Sequence, residues 1–223
     1  MPSFQPAEEE EVRRRKRAPW GVIALVLLTG LALMRNGSGE FNEGPPQPAA
    51  AAAADGRTST GTTAPKATRD PLPFSMVERV RLPAINVDAP VTAVGLDSEG
   101  WVQAPPPEDS NLAGWFTGAV APGEKGTAVI VGHVDNSKGP AVFYGLGSLK
   151  KGNRVEVKRA DQKTAVFEVY GVEVFSKTNF PGQRVYGNTG QAELRVITCG
   201  GGFTKQFGYD GNVVVFARLV EVR

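Results

Sequence analysis

Short apolar runs with the alternation typical of β-strands, separated by turn residues, fill the chain from residue 71 to residue 223. Alternating β-branched and aromatic residues favour strands, and clusters of Gly, Pro, Asp and Asn mark the turns between them. The longest run, residues 164–175, suits a central strand, and residues 194–199 and 212–222 supply the last two strands. Seven or eight short strands with little helix predict a mainly β fold, an antiparallel barrel or sandwich.

Two stretches between these runs are predicted to lack strands. Residues 141–149 (AVFYGLGSL) suit a short helical or irregular turn. Residues 179–188 (NFPGQRVYGN) have the Pro, Gly and Asn content of a loop.

Cys199 is the only cysteine of the chain and closes the run LRVITC. Its β-branched neighbours favour a strand, so the thiol is predicted to lie where that strand ends. Three glycines, residues 200–202, follow directly and leave room beside the sulfur. A lone free cysteine is more often a small buried hydrophobic residue, and that alternative stays open at this point.

His133 is the only histidine and ends a second β-like run, residues 127–132 (TAVIVG). A thiol becomes a good nucleophile once it is deprotonated, and a neighbouring imidazolium favours the thiolate. One Cys and one His, each at the end of a β-run, are the minimum for such a site. A solitary His is otherwise an ordinary polar residue.

The N-terminal segment predicts a membrane anchor. Residues 1–17 form a charged tail that ends in five basic residues, and residues 18–34 carry no charge. Such a run reaches the short end of a bilayer span, so residues 18–35 are predicted to be a transmembrane helix. A cleaved signal peptide is the alternative, but no small-x-small cleavage site directly follows the apolar run. The positive-inside rule places the N-terminus in the cytoplasm and the rest outside the cell.

Residues 36–74 are rich in Ala, Pro, Gly and Thr and have too few large apolar side chains to form a core. They are predicted to be a disordered linker that holds the following domain away from the membrane. Residues 75–223 are long enough for one domain with its own hydrophobic core. This extracytoplasmic domain is predicted to carry the function.

Several motifs of the last domain resemble those of sortases, the membrane-anchored cysteine transpeptidases of Gram-positive bacteria. The likeness covers roughly residues 75–222. The most specific motifs are VITCGG with Cys199, VIVGHVD with His133, and NVVVFARL at residues 212–219. Weaker ones are LPAINVDAPV at residues 82–91, GPAVFYGLGSL at 139–149 and VYGNT at 185–189. Together they are most similar to the actinobacterial class F branch.

The resemblance implies a closed eight-stranded barrel with short helices and with the thiol near the end of the seventh strand. It implies that Cys199 attacks a carbonyl of an LPxTG-like sorting signal to give an acyl-thioester, while His133 donates and accepts the proton. An amine of the cell wall peptidoglycan or of another surface protein then takes the acyl group. The implied partners are secreted proteins that bear sorting signals, and no cofactor is implied.

The chain departs from the family at a third residue, an Arg near the start of the last strand that stabilises the oxyanion and holds the substrate. No Arg lies between Cys199 and Arg218. Aligning NVVVFA with the family's last strand puts Asn212 at or near that place. Asn donates hydrogen bonds to an oxyanion less strongly than a cation does. Lys205 and Arg184 are the other candidates for this role.

Other functions fit the sequence less well. An L,D-transpeptidase also uses Cys and His outside the membrane, but its cysteine motif needs a nearby His that this chain lacks. A single Cys and a single His fall short of the ligands of a zinc site, and a net charge of +2 gives no support for nucleic-acid binding. The main alternative is a weak or inactive sortase-like barrel that acts as an extracytoplasmic binding module.

Overall fold

The β-like runs form ten strands in the computed structural model, which describes residues 44–48 and 69–223. The strands are β1 (Val77–Leu82), β2 (Val87–Val94), β3 (Ala113–Phe116), β4 (Gly126–Gly132), β5 (Asp135–Asn136), β6 (Gly139–Pro140), β7 (Arg154–Arg159), β8 (Thr164–Ser176), β9 (Ala192–Thr204) and β10 (Gly208–Val222). Within these two ranges the helical elements are three 3-10 turns (Pro83–Ile85, Leu146–Ser148 and Lys177–Asn179) and one short helix, α1 (Gly182–Tyr186).

Eight of these strands close into a barrel in the order β1-β2-β3-β4-β9-β10-β8-β7, and β5 pairs with β6 in a separate ribbon. The predicted closed eight-stranded barrel is therefore confirmed. The prediction of antiparallel pairing is wrong at two places, because β2 and β3 are parallel and so are β4 and β9. Turn residues reveal hairpins between consecutive strands, whereas parallel partners need long crossover connections that leave no local signal.

Alternation along the strands produces two apolar clusters. Val213, Val215 and Ala217 of β10 belong to the core inside the barrel. Val214 and Phe216 point to the outer face and belong to a second cluster with side chains of β2, β4, β9 and α1. Because both faces are covered, β9 is buried on both sides from Ala192 to Thr198.

A buried group of charges holds α1 against this outer face. Both oxygens of Glu193 are engaged, by Nη2 of Arg195 at 2.6 Å and Nη2 of Arg218 at 2.9 Å. The hydroxyl of Tyr170 donates to Glu193 at 2.9 Å, and Nε of Arg195 donates to the carbonyl of Val185 in α1 at 3.0 Å. The helix is thereby attached to the strand that carries Cys199.

The structure corrects the predicted end of the strand that carries Cys199. The strand of the thiol does not end there but continues through the glycines to Thr204. Beyond Cys199 the pairing register with β10 shifts, so that Gly201 and Gly202 together face Asp210 in a β-bulge. Gly201 has a φ of 87°, which glycine adopts without strain. The bulge therefore lets β9 and β10 extend into a long hairpin.

The predicted loop at residues 179–188 contains α1, a single helical turn and a half from Gly182 to Tyr186. Its buried residue Val185 packs on the outer-face cluster. A five-residue helix is too short for a periodic apolar pattern, so the sequence reads as a loop.

Among the residues that the structure describes, no helix is long and apolar enough to cross a bilayer. The predicted charged tail (1–17) and anchor (18–35) lie outside the described residues. The described parts of the predicted linker are residues 44–48 and 69–74. The predicted start of the last domain, residue 75, comes two residues before β1.

Candidate active site

Neighbouring strands bring three of the candidate site residues into one row on the outer face. Cys199 of β9 lies directly opposite Asn212 of β10. On the other side of β9, Ile197 is in register with Val131 of the parallel strand β4. Two residues further along these strands come Cys199 and His133, which therefore share a face because side chains alternate with a period of two.

A hydrogen bond between the strands fixes this juxtaposition. The hydroxyl of Thr198 donates to the carbonyl of Gly132 at 2.8 Å. Cys199 and His133 directly follow Thr198 and Gly132, and hydrogen-bonded strands run about 4.8 Å apart. Both side chains are half-buried, so they are shielded from bulk water but open to a ligand.

The imidazole of His133 is oriented by the loop that follows β2. Its Nε2 atom lies 2.7 Å from the carbonyl oxygen of Pro105. Because a carbonyl only accepts hydrogen bonds, Nε2 carries a proton and Nδ1 is the nitrogen that gains and loses one. Asn136 donates to the carbonyl of Pro107 at 2.8 Å and holds this loop in place.

A second hydrogen bond connects β10 with β5, the short strand that follows His133. The hydroxyl of Tyr209 in β10 donates to the carboxylate of Asp135, two residues after His133, at 2.5 Å. Burial, followed by this hydrogen bond, raises the pKa of Tyr209. Tyr209 therefore stays protonated and ties the segment that follows His133 to β10.

Asn212, Lys205 and Arg184 are the three candidates for the residue that stabilises the oxyanion. Of these, only Asn212 lies in the row of Cys199. Its side chain is half-buried, and no side-chain hydrogen bond occupies its amide within residues 44–48 and 69–223. Directly opposite residues of an antiparallel pair have Cβ atoms about 5 Å apart. The amide is thus available as a donor beside the thiol.

Arg184 lies over the same face but one strand further away. Its guanidinium group is 5.3 Å from the ring centre of Phe175, the residue of β8 that lies opposite Asn212. Its Nη2 atom also pairs with Oε1 of Glu173 at 2.5 Å. The positive charge is therefore close to the row but already has a carboxylate partner.

Lys205 is not brought to the row. It lies exposed at the tip of the β9–β10 hairpin, between the end of β9 at Thr204 and the start of β10 at Gly208. Six residues of extended strand separate it from Cys199, about 20 Å at 3.3 Å per residue. The geometry gives Lys205 the weakest case of the three.

The comparisons with known proteins agree with this geometry. The family model described as Sortase domain matches residues 80–220, which is more than half of the chain. The chain belongs to the sortase family. Sortases are cysteine transpeptidases, and Cys199 is the single cysteine of this one. A search of curated protein sequences gives no match.

Solved sortase structures share its fold. Sortase A of Listeria monocytogenes is 19% identical with a TM-score of 0.50, over 67% of this chain and 90% of that chain. A lid mutant of Corynebacterium diphtheriae sortase A is 17% identical with a TM-score of 0.51, over 67% of this chain and 73% of that chain. Sortase C-1 of Actinomyces oris is 23% identical with a TM-score of 0.50, over 64% of this chain and 73% of that chain. At these identities the likeness concerns the fold alone.

Sequence reasoning missed the groups that surround the Cys and His of this sortase. The carbonyl of Pro105 left no signal, because a backbone acceptor is not visible in residue types. Asp135 lies within the motif VIVGHVD, and its position two residues after His133 is the signal that could have found it. Its partner Tyr209 could not be predicted without the register of β10.

Proposed function

We propose that the protein is a membrane-anchored sortase of the class F type, which cleaves an LPxTG-like sorting signal and transfers the acyl part to an amine. The observation that carries this proposal is the position of His133, directly after β4, beside Cys199 of the parallel strand β9, with both side chains half-exposed. Membership of the family supplies the reaction class. The class F assignment rests on the motifs VITCGG, VIVGHVD and NVVVFARL.

In the first half-reaction the Cys199 thiolate attacks a backbone carbonyl carbon of the sorting signal, and the carbonyl π electrons move to oxygen. The tetrahedral intermediate then collapses, and the bond from carbon to the leaving nitrogen breaks. His133 gives the leaving amine the proton held on Nδ1, because Nε2 is bound to the Pro105 carbonyl. The products are an acyl-thioester at Cys199 and a free amine.

In the second half-reaction an acceptor amine attacks the thioester carbonyl. His133, now neutral at Nδ1, takes the proton that the attacking nitrogen loses. The carbon–sulfur bond breaks, and the thiolate leaves with the imidazolium restored beside it. The net reaction exchanges one amide for another, so it needs neither a cofactor nor an oxidant.

The oxyanion of both intermediates needs a hydrogen-bond donor close to the sulfur. The amide of Asn212 is placed to donate, since Asn212 lies opposite Cys199 in the neighbouring strand. Arg184 adds positive potential from above Phe175. We assign the direct contact to Asn212 because Arg184 already pairs with Glu173.

A panel of labelled sorting-signal peptides, incubated with the protein and then with hydroxylamine, tests this reaction. The wild-type protein should form a labelled adduct that hydroxylamine releases, because a thioester reacts with that amine. Cys199→Ala should form no adduct while keeping the wild-type unfolding midpoint. Transfer of a peptide to an amine by Cys199→Ala would contradict the proposal. Peptide binding without any adduct would identify the alternative, a binding module.

The predicted topology is tested separately. If residues 18–35 anchor the protein with its N-terminus inside, protease added to intact protoplasts should remove the barrel and spare a cytoplasmic marker. Survival of both until lysis would show that the orientation is wrong.

A further inference from the structure

Residues 44–48 (GPPQP), here named the strap, pack against the barrel although they belong to the predicted linker. The side-chain carbonyl oxygen of Gln47 accepts a hydrogen bond from the backbone N–H of Gly201 at 3.0 Å, across 154 positions of sequence. The Gln47 amide nitrogen donates to the carbonyl of Pro45 at 3.1 Å. Pro45 is buried. The strap is therefore bound to the domain.

Gly147 makes room for the strap. A Cβ atom at Gly147, in the Leu146–Ser148 turn, would overlap the carbonyl oxygen of Pro46 and lie 3.1 Å from Cα of Gln47. On the other side of the strap, Gly200 of β9 lies close to Oε1 of Gln47, although a Cβ there would first meet Cγ2 of Val213, at 2.5 Å. Gly147 and Gly200 are both buried. The groove between the turn and this part of β9 thus takes the strap backbone only because position 147 lacks a side chain.

The chemistry of the strap suits this groove. Proline has no N–H group, so a Pro-rich segment offers mainly acceptors and stays extended. The groove offers a donor, the N–H of Gly201, which the strand ladder leaves free at the bulge. The N–H of the next residue, Gly202, is taken by the carboxylate of Asp210 at 2.7 Å. The strap therefore holds one of two bulge amides that follow Cys199.

We propose that this groove is a binding site for an extended, proline-containing peptide, that the strap occupies it within the same chain, and that occupancy restrains the backbone after Cys199 and slows acylation. The effect on acylation rests on the proposed function, whereas the docking of the strap does not. Gly201 lies two residues beyond Cys199, so release of the strap frees the bulge to adjust to a bound peptide. One hydrogen bond of ordinary strength shifts such an equilibrium by about fivefold, which makes the strap displaceable.

The test compares full-length wild-type protein with Gly147→Ala, which blocks the groove, and Gln47→Ala, which removes the acceptor. Gly145→Ala is the matched control, because its new Cβ would meet only Ile85 at an ordinary 3.4 Å. The measurements are amide hydrogen exchange at Gly201, the rate of Cys199 alkylation, and the rate of acyl-thioester formation with a sorting-signal peptide.

Gly147→Ala and Gln47→Ala should each speed exchange at Gly201 by about fivefold or more and raise the other two rates severalfold, while Gly145→Ala behaves like the wild type. A synthetic GPPQP peptide in excess should restore slow exchange in Gln47→Ala but not in Gly147→Ala. Unchanged exchange at Gly201 in both variants would overturn the docking. Faster amide exchange at Gly201, with unchanged or lower rates of Cys199 alkylation and acyl-thioester formation, would overturn the proposal that the strap restrains the site. If no protein forms a thioester, the proposed function fails, and exchange at Gly201 still decides the docking.

Discussion

Two parts of the β9–β10 pair, the charged end around Glu193 and the reactive end around Cys199, hold polar side chains in opposite ways. At one end, Glu193, Arg195 and Arg218 are 1%, 1% and 3% exposed and bind one another. At the other end, Cys199 and Asn212 are half-exposed, and no ion pair involves either of them within the described residues. Six residues of one strand, about 20 Å, separate Glu193 from Cys199. Fixed charge is thus used to hold the fold, and the row of Cys199 carries no such pairs.

This difference has a physical basis. Burial alone would raise the pKa of Glu193, but the charge of Arg195 and the hydrogen bonds from Arg195, Arg218 and Tyr170 outweigh it and hold the pKa below its ordinary value. Such a carboxylate stays ionised and bound to the same partners. A catalytic group must instead change its charge or partner during the reaction, so it cannot be tied in this way. Substitutions at the two ends should therefore have separable effects.

The largest effect is expected for His133→Ala at the reactive end. Loss of the general acid and base should lower kcat/KM for peptide transfer about a thousandfold. Alkylation of Cys199 should slow as well, because the thiolate loses its cationic partner. The unfolding midpoint in urea should stay close to that of the wild type. Equal transfer rates for the variant and the wild type would contradict the role of His133.

Glu193→Ala should have the largest effect on stability. It leaves two buried arginines without a carboxylate, which costs about 3–5 kcal/mol in the free energy of unfolding. Urea denaturation measures this cost, with Glu221→Ala as the control for an exposed carboxylate that pairs with arginine. Activity per folded molecule should remain at the wild-type level. A loss of kcat without a loss of stability would erase the distinction between the two ends.

Asn212→Ala should lower kcat by about a hundredfold, since removing one oxyanion donor costs on that order. KM should change little, because the contact forms mainly in the transition state. Lys205→Ala should have no effect, and Arg184→Ala a smaller one than Asn212→Ala. Full activity of Asn212→Ala together with a large loss in Arg184→Ala or Lys205→Ala would transfer the role to that cation. A gain in Asn212→Arg would support position 212 as that of the family's arginine.

A fall in pH should first weaken the contribution of Glu193, at the charged end, to the free energy of unfolding. The pKa of Glu193 in the folded protein lies below its ordinary value of 4.5, so its contribution is fully present above pH 4.5 and is lost as the pH falls through the folded pKa. The free energy of unfolding of the wild type should therefore decrease more steeply below pH 4.5 than that of Glu193→Gln. Parallel curves would show that Glu193 does not titrate with unfolding. Asp161, whose pKa is also lowered, contributes equally to both proteins.

A small effect is expected for Tyr209→Phe, which removes the hydroxyl that donates to Asp135. The segment that follows His133 then loses one hydrogen bond to β10, and transfer should slow about two- to fivefold, as expected for one hydrogen bond. Asp135→Asn keeps an acceptor and should be milder. A larger loss for Asp135→Asn would mean that the charge of Asp135, rather than the bridge, is what matters.

Much of the fold was predictable because it is encoded locally. Alternation and turn residues predicted an antiparallel barrel or sandwich, the resemblance to sortases implied the closed barrel, and the solitary Cys199 and His133 stood out by composition alone. The proximity of these two residues was only implied by the resemblance, because it depends on a parallel pairing between residues 66 positions apart that no local pattern records. The role of α1 was hidden for a different reason. Its helix is too short to show a period, and nothing in the sequence marks Arg195, ten positions after Val185, as the residue that binds it.

The bulge after Cys199 acts as a phase shift in the alternation of side chains. Without it, Phe203 would share the face of the thiol, since the two positions differ by an even number. With two residues facing one, Phe203 instead lies opposite Tyr209, and the two rings pack at 4.9 Å. Removal of the bulge with all residues kept would turn the ring of Phe203 onto the face of the thiol. Gly201 and Gly202, which permit the bulge, therefore also decide on which face Phe203 lies.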